Sequence, residues 1–365
     1  MKKTILFLLT LILVSGLLIG CSQEAETTVD EPEEEKTIIM ISKVYQNPWY
    51  QVAYDGAIAA GEEFGFKVVT QGPNSSSEIQ QQVELINAAV NQKPYALLLA
   101  AISPDSIADA LAKAEENDVH VIAFDGALPG FDNVLATIAT DNEAAGALAA
   151  DQLFEDEGFV EAVNKGTTSE PIVIGALAED GTSSTLIERM AGFVDQMVKN
   201  LETLEGFEGA VEVTGQTQWI KPSANDPKVN IITSVPPTAG AADLQAIANA
   251  MFLEDNLLAI YACNNGTVDG VLSATNDGAD LDPENGKYKD IYVVGFDAGT
   301  NLKEAVRRGA FFGAITQDPY YIGYNAVKAV YDLSQGKSVS DDYPSARWYD
   351  SENMDDTDIA RLLYD

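Results

Sequence analysis

The stretch TIIMISKVYQNPWYQVAYDG, residues 37–56, decides the fold. Residues 37–42 are a short apolar, β-rich run of the kind that forms a strand buried on both faces. Asn47-Pro48 then marks a helix start, with Asn as the capping side chain and Pro preset for the first turn. In an open α/β sheet, small molecules bind beyond the carboxyl ends of the strands. The loop after this strand and the first helical turn are therefore where a ligand is met. Asn47 brings a donor and an acceptor there, and Trp49 and Tyr50 bring flat apolar faces with polar edges. Two aromatics in a first helical turn also suit a plain core. Beside a capping Asn at a strand end, the ligand reading is favoured.

Toward the N-terminus, residues 1–20 read as an export signal: Lys2 and Lys3, then ILFLLTLILVSGLLIG. The run ends at Leu18-Ile19-Gly20-Cys21, which resembles the bacterial lipobox. That resemblance implies cleavage before Cys21 and lipidation of Cys21, palmitate included, so that the protein is tethered to a membrane rather than threaded through it. A transmembrane anchor is the competing reading. The small residue directly before Cys21 and the lack of a basic stop-transfer cluster argue against it. Residues 22–36, SQEAETTVDEPEEEK, are acidic and without periodicity, and read as a disordered tether.

The remaining chain of about 330 residues exceeds the size at which one core stops growing, so two lobes are expected. The formal net charge of −36 argues against nucleic acid as a partner and against binding anionic lipid by charge. With Cys21 lipidated, Cys263 stands alone and no disulfide forms within the chain. After the apolar run LLAIYA, Cys263 reads as a small buried residue.

Strands and helices alternate from residue 37 on. KVVTQ (67–71) leads to a helix opened by Ser75, with Glu78 at capping-box spacing. YALLLAA (95–101) leads to a helix opened by Ser103-Pro104, and VHVIAFD (119–125) closes the unit. Three βα units in about ninety residues indicate a parallel, doubly wound sheet. A strand at 135–140 and a helix from Asp141-Asn142 follow. The pattern then restarts: strand 171–177, helix 184–200, a strand within 228–235, helix 240–253, strand 257–263, a helix from Thr267, strand 291–297 and helix 300–308. The last stretch, strand FFGAIT (311–316), helix 319–335 and a tail, is expected to cross back to the first lobe, which otherwise lacks a last β-α pair. The organisation expected is a first lobe of 37–140 plus 318–340, a second lobe of 141–317, and an acidic tail, 341–365, on both lobes or loose. The fold class is α/β, two similar doubly wound parallel-sheet lobes joined by a multi-strand hinge around a ligand cleft. Residues 201–227 are too long for an ordinary connection and read as an extra hairpin or loop, with Trp219 exposed or capping the cleft.

Several strand-end residues form a set: Asn47, Asp125, Asn264, Asp297 and Gln317, with Arg189 on a helix of the second lobe. Each has a bland reading as a cap or a solvated face. Together, at carboxyl ends on two lobes beside Trp49 and Tyr50, they read as partners for a hydroxyl-rich ligand, carboxylates making the stronger bonds.

In order along residues 37–337, the segments SKVYQNPWYQVAYDGA, VIAFDG, IATDNEAAG, TSSTLIERMAGF, YACNNGTVDGVLSA, VVGFDA and AITQDPYYIG resemble the motifs of the type I periplasmic binding proteins, the ribose-type sugar-binding proteins of ABC importers. The resemblance implies that Asn47, Trp49 and Tyr50 are first-lobe polar and stacking residues, that Asp125 grips hydroxyls, and that Arg189 is the second-lobe arginine. It further implies that Asn264 and Asp297 are hydroxyl partners, Gln317 a hinge-side amide and Lys43 a ligand contact. The chain departs from the family twice: Gly126 stands where ribose binders carry Arg after the aspartate, and residues 237–243 hold no second-lobe aromatic, a place Trp219 is a candidate to fill. A monosaccharide or related polyol is thus expected, bound by hinge closure and passed to an ABC permease by a monomeric carrier without cofactor or metal.

Three other classes of protein compete with a sugar carrier. For an enzyme, the single histidine, His120, lies inside an apolar strand, and no phosphate-cradling GxxxxGK[ST] or CxxC pattern occurs. Asp280, Asp282 and Glu284 have the spacing of a calcium loop, but Asn285 stands where its glycine belongs and Ile291 where its closing Glu belongs, so this reads as a solvated acidic loop. A lactose-repressor-type regulator shares the lobes, but here an export signal occupies the place of the DNA-binding headpiece. A receptor for a nucleoside or signalling furanose in chemoreception or sensing is the alternative that the residues leave open.

Overall fold

The computed structural model describes residues 36–364. The export signal, Cys21 and residues 22–35 of the acidic tether lie outside the described residues. Among those described, no helix is long and apolar enough to cross a membrane.

The first lobe begins with β1 (Thr37–Ile41), α1 (Pro48–Phe64), β2 (Lys67–Gln71), α2 (Ile79–Asn91), β3 (Ala96–Leu99), α3 (Ala108–Glu116), β4 (His120–Phe124) and β5 (Val134–Ile138). The five strands form one parallel sheet in the order β2-β1-β3-β4-β5. Alternation within β1 explains why nearly every residue of it is apolar. Ile38 and Met40 face the α1 side, Ile39 and Ile41 pack with α2 and α3, and all four are buried. Asn47 caps α1 as its sequence demands, accepting from the Trp49 N–H (2.9 Å), and Gly65 ends the helix at φ 77°. Helix α2 opens later than Ser75: residues 75–78 form a separate turn in which the Glu78 carboxylate accepts from the Asn74 and Ser75 N–H groups, so the box closes from one side only.

The second lobe contains α4 (Asn142–Glu155), α5 (Glu157–Val163), β6 (Ile172–Leu177), α6 (Ser184–Leu201), β7 (Val211–Gly215), β8 (Val229–Ser234), α7 (Ala241–Met251), β9 (Leu257–Ala262), α8 (Asn265–Ala274), β10 (Tyr292–Phe296), α9 (Thr300–Arg307) and β11 (Gly313–Thr316). With β12 (Arg347–Tyr349), antiparallel to β11, the strands run β12-β11-β10-β9-β6-β8-β7. Helices α4 and α6 touch backbone to backbone, because a Cβ at Gly146 or Gly192 would overlap the Arg189 or Glu143 carbonyl across the interface. That contact fixes the helix that carries Arg189.

Two expectations are revised. Residues 201–227 supply a regular edge strand, β7, parallel to β8, and chain returns by a single antiparallel bridge between Val213 and Lys221. Trp219 caps no cleft and is not exposed: it is buried beside α6, with its Nε1 donating to the Ile187 carbonyl (3.4 Å). An indole dropped into an apolar gap under an edge strand gains more from burial than a surface position offers. The last strand, β11, stays in the second sheet beside β10, and only α10 (Pro319–Ser334) crosses back, to pack on α1 and β4.

The chain passes between the lobes three times, near 140, near 317 and near 343. The passages are tied together: the Thr140 hydroxyl donates to Gln317 Oε1 (2.7 Å), and the Asp141 N–H donates to the Pro344 carbonyl (3.3 Å). The tail is ordered on both lobes. Asp342 bridges Ile138 of β5, β12 extends the second sheet, and α11 (Thr357–Ala360) follows.

Candidate functional site

Every strand facing the gap between the lobes ends there at its carboxyl end, and the residues that follow line one cleft of about 470 Å³. Lys43 and Asn47 come after β1, Asp125 after β4, Asn264 after β9, Asp297 after β10 and Gln317 after β11. Trp49 and Tyr50 come from α1, and Arg189 from α6. All nine residues expected from the sequence line this same cleft.

Asp125 and Asp297 are counterparts in the two lobes, each closing a Phe-Asp strand end. Both take a left-handed backbone, at φ 66° and 81°, a conformation that Asp tolerates better than most residues but that still costs energy. The turn aims each carboxylate into the gap rather than along the strand. The Asp125 Oδ2 accepts from the Tyr50 hydroxyl (2.7 Å) and pairs with the Lys43 ammonium (2.9 Å). The Asp297 Oδ1 accepts from Gln317 Nε2 (2.6 Å), and Oδ2 accepts from the Asn265 N–H (3.1 Å). Burial raises the Asp297 carboxyl above the usual carboxylate range, Arg189, Gln317 and the Asn265 N–H pull it back, and Asp125 pushes it further up.

Arg189 is buried. Its Nε donates to Asn142 Oδ1 (2.9 Å) and its Nη1 to the Cys263 carbonyl (3.2 Å), while the guanidinium lies 3.7 Å over the Phe296 ring. Its charge is thereby delivered to the cleft in one orientation. Cys263 is buried and free, as a small core residue, and burial pushes its thiol far up. Asn264 is the cap of α8, in a two-sided box with Thr267, and its amide donates to the Glu179 carboxylate.

Tyr50 does something other than stack. Its ring is buried edge-on between Trp49 and Phe124, and its hydroxyl is committed to Asp125, so it holds that carboxylate instead of offering a face. Trp49 lines the cleft, and its buried indole N–H has no partner among the described residues. Lys43, in contrast, has all three ammonium N–H groups taken. Beyond Asp125, its ammonium donates to Ser183 Oγ (3.1 Å) and Thr185 Oγ1 (3.2 Å) at the start of α6, in the opposite lobe.

Glu179, Asp180, Ser183, Thr185, Asn265 and Asp269 also line the cleft and were not anticipated. Glu179 and Asp180 follow β6 after Ala178, so the strand-end rule that found Asp125 and Asp297 also reaches them. Glu179 accepts from the Ser76 hydroxyl of the first lobe (2.5 Å), and burial raises its carboxyl. With Ser184 Oγ donating to the Ala127 carbonyl (3.1 Å), side chains bridge the lobes at three places besides the Thr140–Gln317 tie at the hinge.

The site accounts for both departures in the sequence. With the lobes together, a side chain at 126 would press on the second lobe: a Cβ there would sit 2.9 Å from Ser184 Oγ and from Thr185 Cγ2, in a space edged by Lys43 Nζ. Ala239, Ala241 and Leu244 are among the residues the second lobe gives to the cleft, and both aromatics that line it, Trp49 and Tyr50, come from the first lobe.

Two parallel-sheet lobes joined by a triple passage, with polar strand ends converging on one cleft, define a two-lobed small-molecule binding protein. A family model described as the periplasmic binding protein domain matches residues 38–338, and the chain belongs to that family, as a type I member of the ribose type. The chain is 25% identical over 337 residues to the ribose import binding protein RbsB of Haemophilus influenzae, covering 91% of this chain and 95% of the relative. It is 25% identical over 345 residues to RbsB of Bacillus subtilis, with 93% and 95% covered. A solved structure described as an ABC transporter, LacI family transcriptional regulator from Brachyspira murdochii superposes with a TM-score of 0.75 at 30% identity, over 91% of this chain and 99% of that one.

Proposed function

We propose that this chain is the substrate-binding lipoprotein of an ABC-type importer, which takes a monosaccharide or related polyol into the interlobe cleft and delivers it to a membrane permease. One observation carries the reading: carboxylates held by neighbouring donors on both lobes, Asp125 and Asp297, face one cleft with Trp49 and Arg189, and its volume lies in the range of small-molecule sites, about 300–1,000 Å³. The relatives named as ribose import binding proteins support sugar as the ligand class and import as the setting. Relatives of this kind are carriers, and the cleft residues are arranged to hold hydroxyls in place.

Binding proceeds by closure. The ligand bonds first to one lobe, and the shut form gains those contacts that only both lobes together complete. Gly126, crowded by Ser184 and Thr185 with the lobes together, and a cleft lined by no second-lobe aromatic among the described residues support a ligand other than ribose itself. The chain works at the outer face of a membrane, held by lipid on Cys21.

A thermal-shift screen of residues 37–365 against pentoses, hexoses, polyols and nucleosides tests the reading, since a ligand that binds only the folded state raises the melting point. A response confined to nucleosides, or to no compound, removes the sugar assignment. Replacing Cys21 by Ala tests the anchor: metabolic palmitate labelling should vanish and the protein should leave the membrane fraction.

A further inference from the structure

The family match ends at residue 338, yet the tail beyond it reaches the back of the cleft. Tyr349 Oη donates to the Asp297 carbonyl (2.9 Å), and Tyr364 Oη accepts from the Ala298 N–H (3.3 Å). Those two backbone groups belong to one peptide unit, the one that leaves Asp297. The Asp297 N–H on its other side donates to the Ile315 carbonyl (2.8 Å). Backbone polar groups are therefore fixed on both sides of a residue at φ 81°.

The tail also grips the neighbouring strand end. Thr316 Oγ1, one residue before Gln317, donates to the Leu362 carbonyl (3.1 Å). Gln317 in turn donates to Asp297 Oδ1. Tyr349 is fully buried and Tyr364 is 8% exposed, so water has little access to replace either hydroxyl. The first-lobe counterpart shares the strand-side bond, from the Asp125 N–H to the Ile138 carbonyl (3.1 Å), but among the described residues no tail side chain holds the peptide that leaves it. The N–H after Asp125 turns back onto the Phe124 carbonyl (2.8 Å), and Tyr50 and Lys43 hold its carboxylate directly.

We propose that Tyr349 and Tyr364, from the C-terminal tail, are positioning residues of the ligand cleft, clamping both polar groups of the 297–298 peptide so that the Asp297 carboxylate is set against Gln317 for the ligand. A peptide with both groups buried and unpaired would rotate to find partners, and rotation about it swings the Asp297 side chain. The tail is then part of the binding site without touching the ligand. This rests on the cleft being the ligand site.

The test uses Tyr349→Phe, Tyr364→Phe and the double variant in residues 37–365, with Tyr292→Phe as control, because Tyr292 donates to Asp156 elsewhere in the second lobe. Two quantities are read: affinity for D-ribose and D-galactose by calorimetry, and the Gln317 side-chain amide resonance in the ligand-free protein by nitrogen-edited NMR. In the double variant, affinity for whichever sugar binds should fall roughly tenfold or more, each single variant taking part of the loss, and the Gln317 resonance should move. Tyr292→Phe should lower the melting temperature and leave both quantities alone. A double variant, or either single variant if the double does not fold, with unchanged affinity and an unmoved resonance overturns the proposal. So does an equal loss of affinity in Tyr292→Phe. If neither sugar binds the unaltered protein, the Gln317 resonance alone decides whether the tyrosines hold Asp297.

Discussion

Replacing Lys43 by Met separates a residue that touches ligand from one that holds the lobes together. The ammonium has three N–H groups and three protein acceptors: Asp125 Oδ2 at 2.9 Å, Ser183 Oγ at 3.1 Å and Thr185 Oγ1 at 3.2 Å. The bond to Asp125 lies within the first lobe and is present open or shut, so it drops out of the closure equilibrium. The other two cross the gap and exist only when the lobes meet. Ser183 and Thr185 also bond each other (2.9 Å), so they stay partly satisfied when the lysine goes, which keeps each lost bond near ~1 kcal/mol. The Lys43 side chain is only 12% exposed, so solvent screening removes little of this. The two together predict about 2 kcal/mol, a loss of roughly 30-fold in affinity. Calorimetry on Lys43→Met, on the pair Ser183→Ala and Thr185→Val, and on the combination forms a double-mutant cycle, with an expected coupling of about 1–2 kcal/mol. If the lysine substitution costs the same whether or not the two hydroxyls are present, Lys43 acts on the ligand directly and the reasoning fails.

Further outcomes are expected. Asp125→Ala or Asp297→Ala should each weaken sugar binding by at least about 1.5 kcal/mol, because hydroxyls lose a charged acceptor in a closed cleft; unchanged calorimetry in both would falsify the site. Gly126→Arg should hold the lobes apart, since a Cβ there already meets Ser184 and Thr185 at 2.9 Å; affinity should fall about tenfold or more and the radius of gyration by X-ray scattering should stay large with sugar present. Burial raises the Glu179 carboxyl, so the folded chain holds that proton more tightly than the unfolded one: the stability it lends is present below about pH 4 and is lost as pH rises through the folded value. Between about pH 4 and 7 the melting temperature of Glu179→Gln should therefore rise relative to that of the unaltered protein. Parallel melting curves across that range sink the point. Cys263, buried with its thiol pushed far up, should resist a thiol reagent at pH 8 in folded residues 37–365 and react once denaturant is added.

The lobes and the set of strand-end residues were legible because both follow from local rules. Continuous apolar strands such as 37–41 alternate with capped helices, and a parallel sheet presents its carboxyl ends to one side. Those rules place Asp125, Asn264, Asp297 and Gln317 without any knowledge of packing, and extended to the end of β6 they place Glu179. What they do not give is orientation. Tyr50 and Trp49 are neighbours with similar chemistry, yet only the path of α1 over Phe124 turns the Tyr50 hydroxyl to Asp125 and spends its ring in the core. Trp219 sits in a segment with no clear period, and its burial depends on β7 joining a sheet edge about twenty residues away. The reach of the tail to Asp297 is likewise a long-range contact with no local signature.

The three passages between the lobes, cross-tied through Thr140, Gln317, Asp141 and Pro344, act like three leaves of one door hinge. Side-by-side straps resist shear and twist while still allowing a swing about their common line. Opening should therefore be close to a single coordinate, so that one pair of fluorescent labels, one at Ser77 and one at Thr182, both exposed and on different lobes, reports the whole movement. A second label pair placed elsewhere should rise and fall in proportion to the first at every sugar concentration.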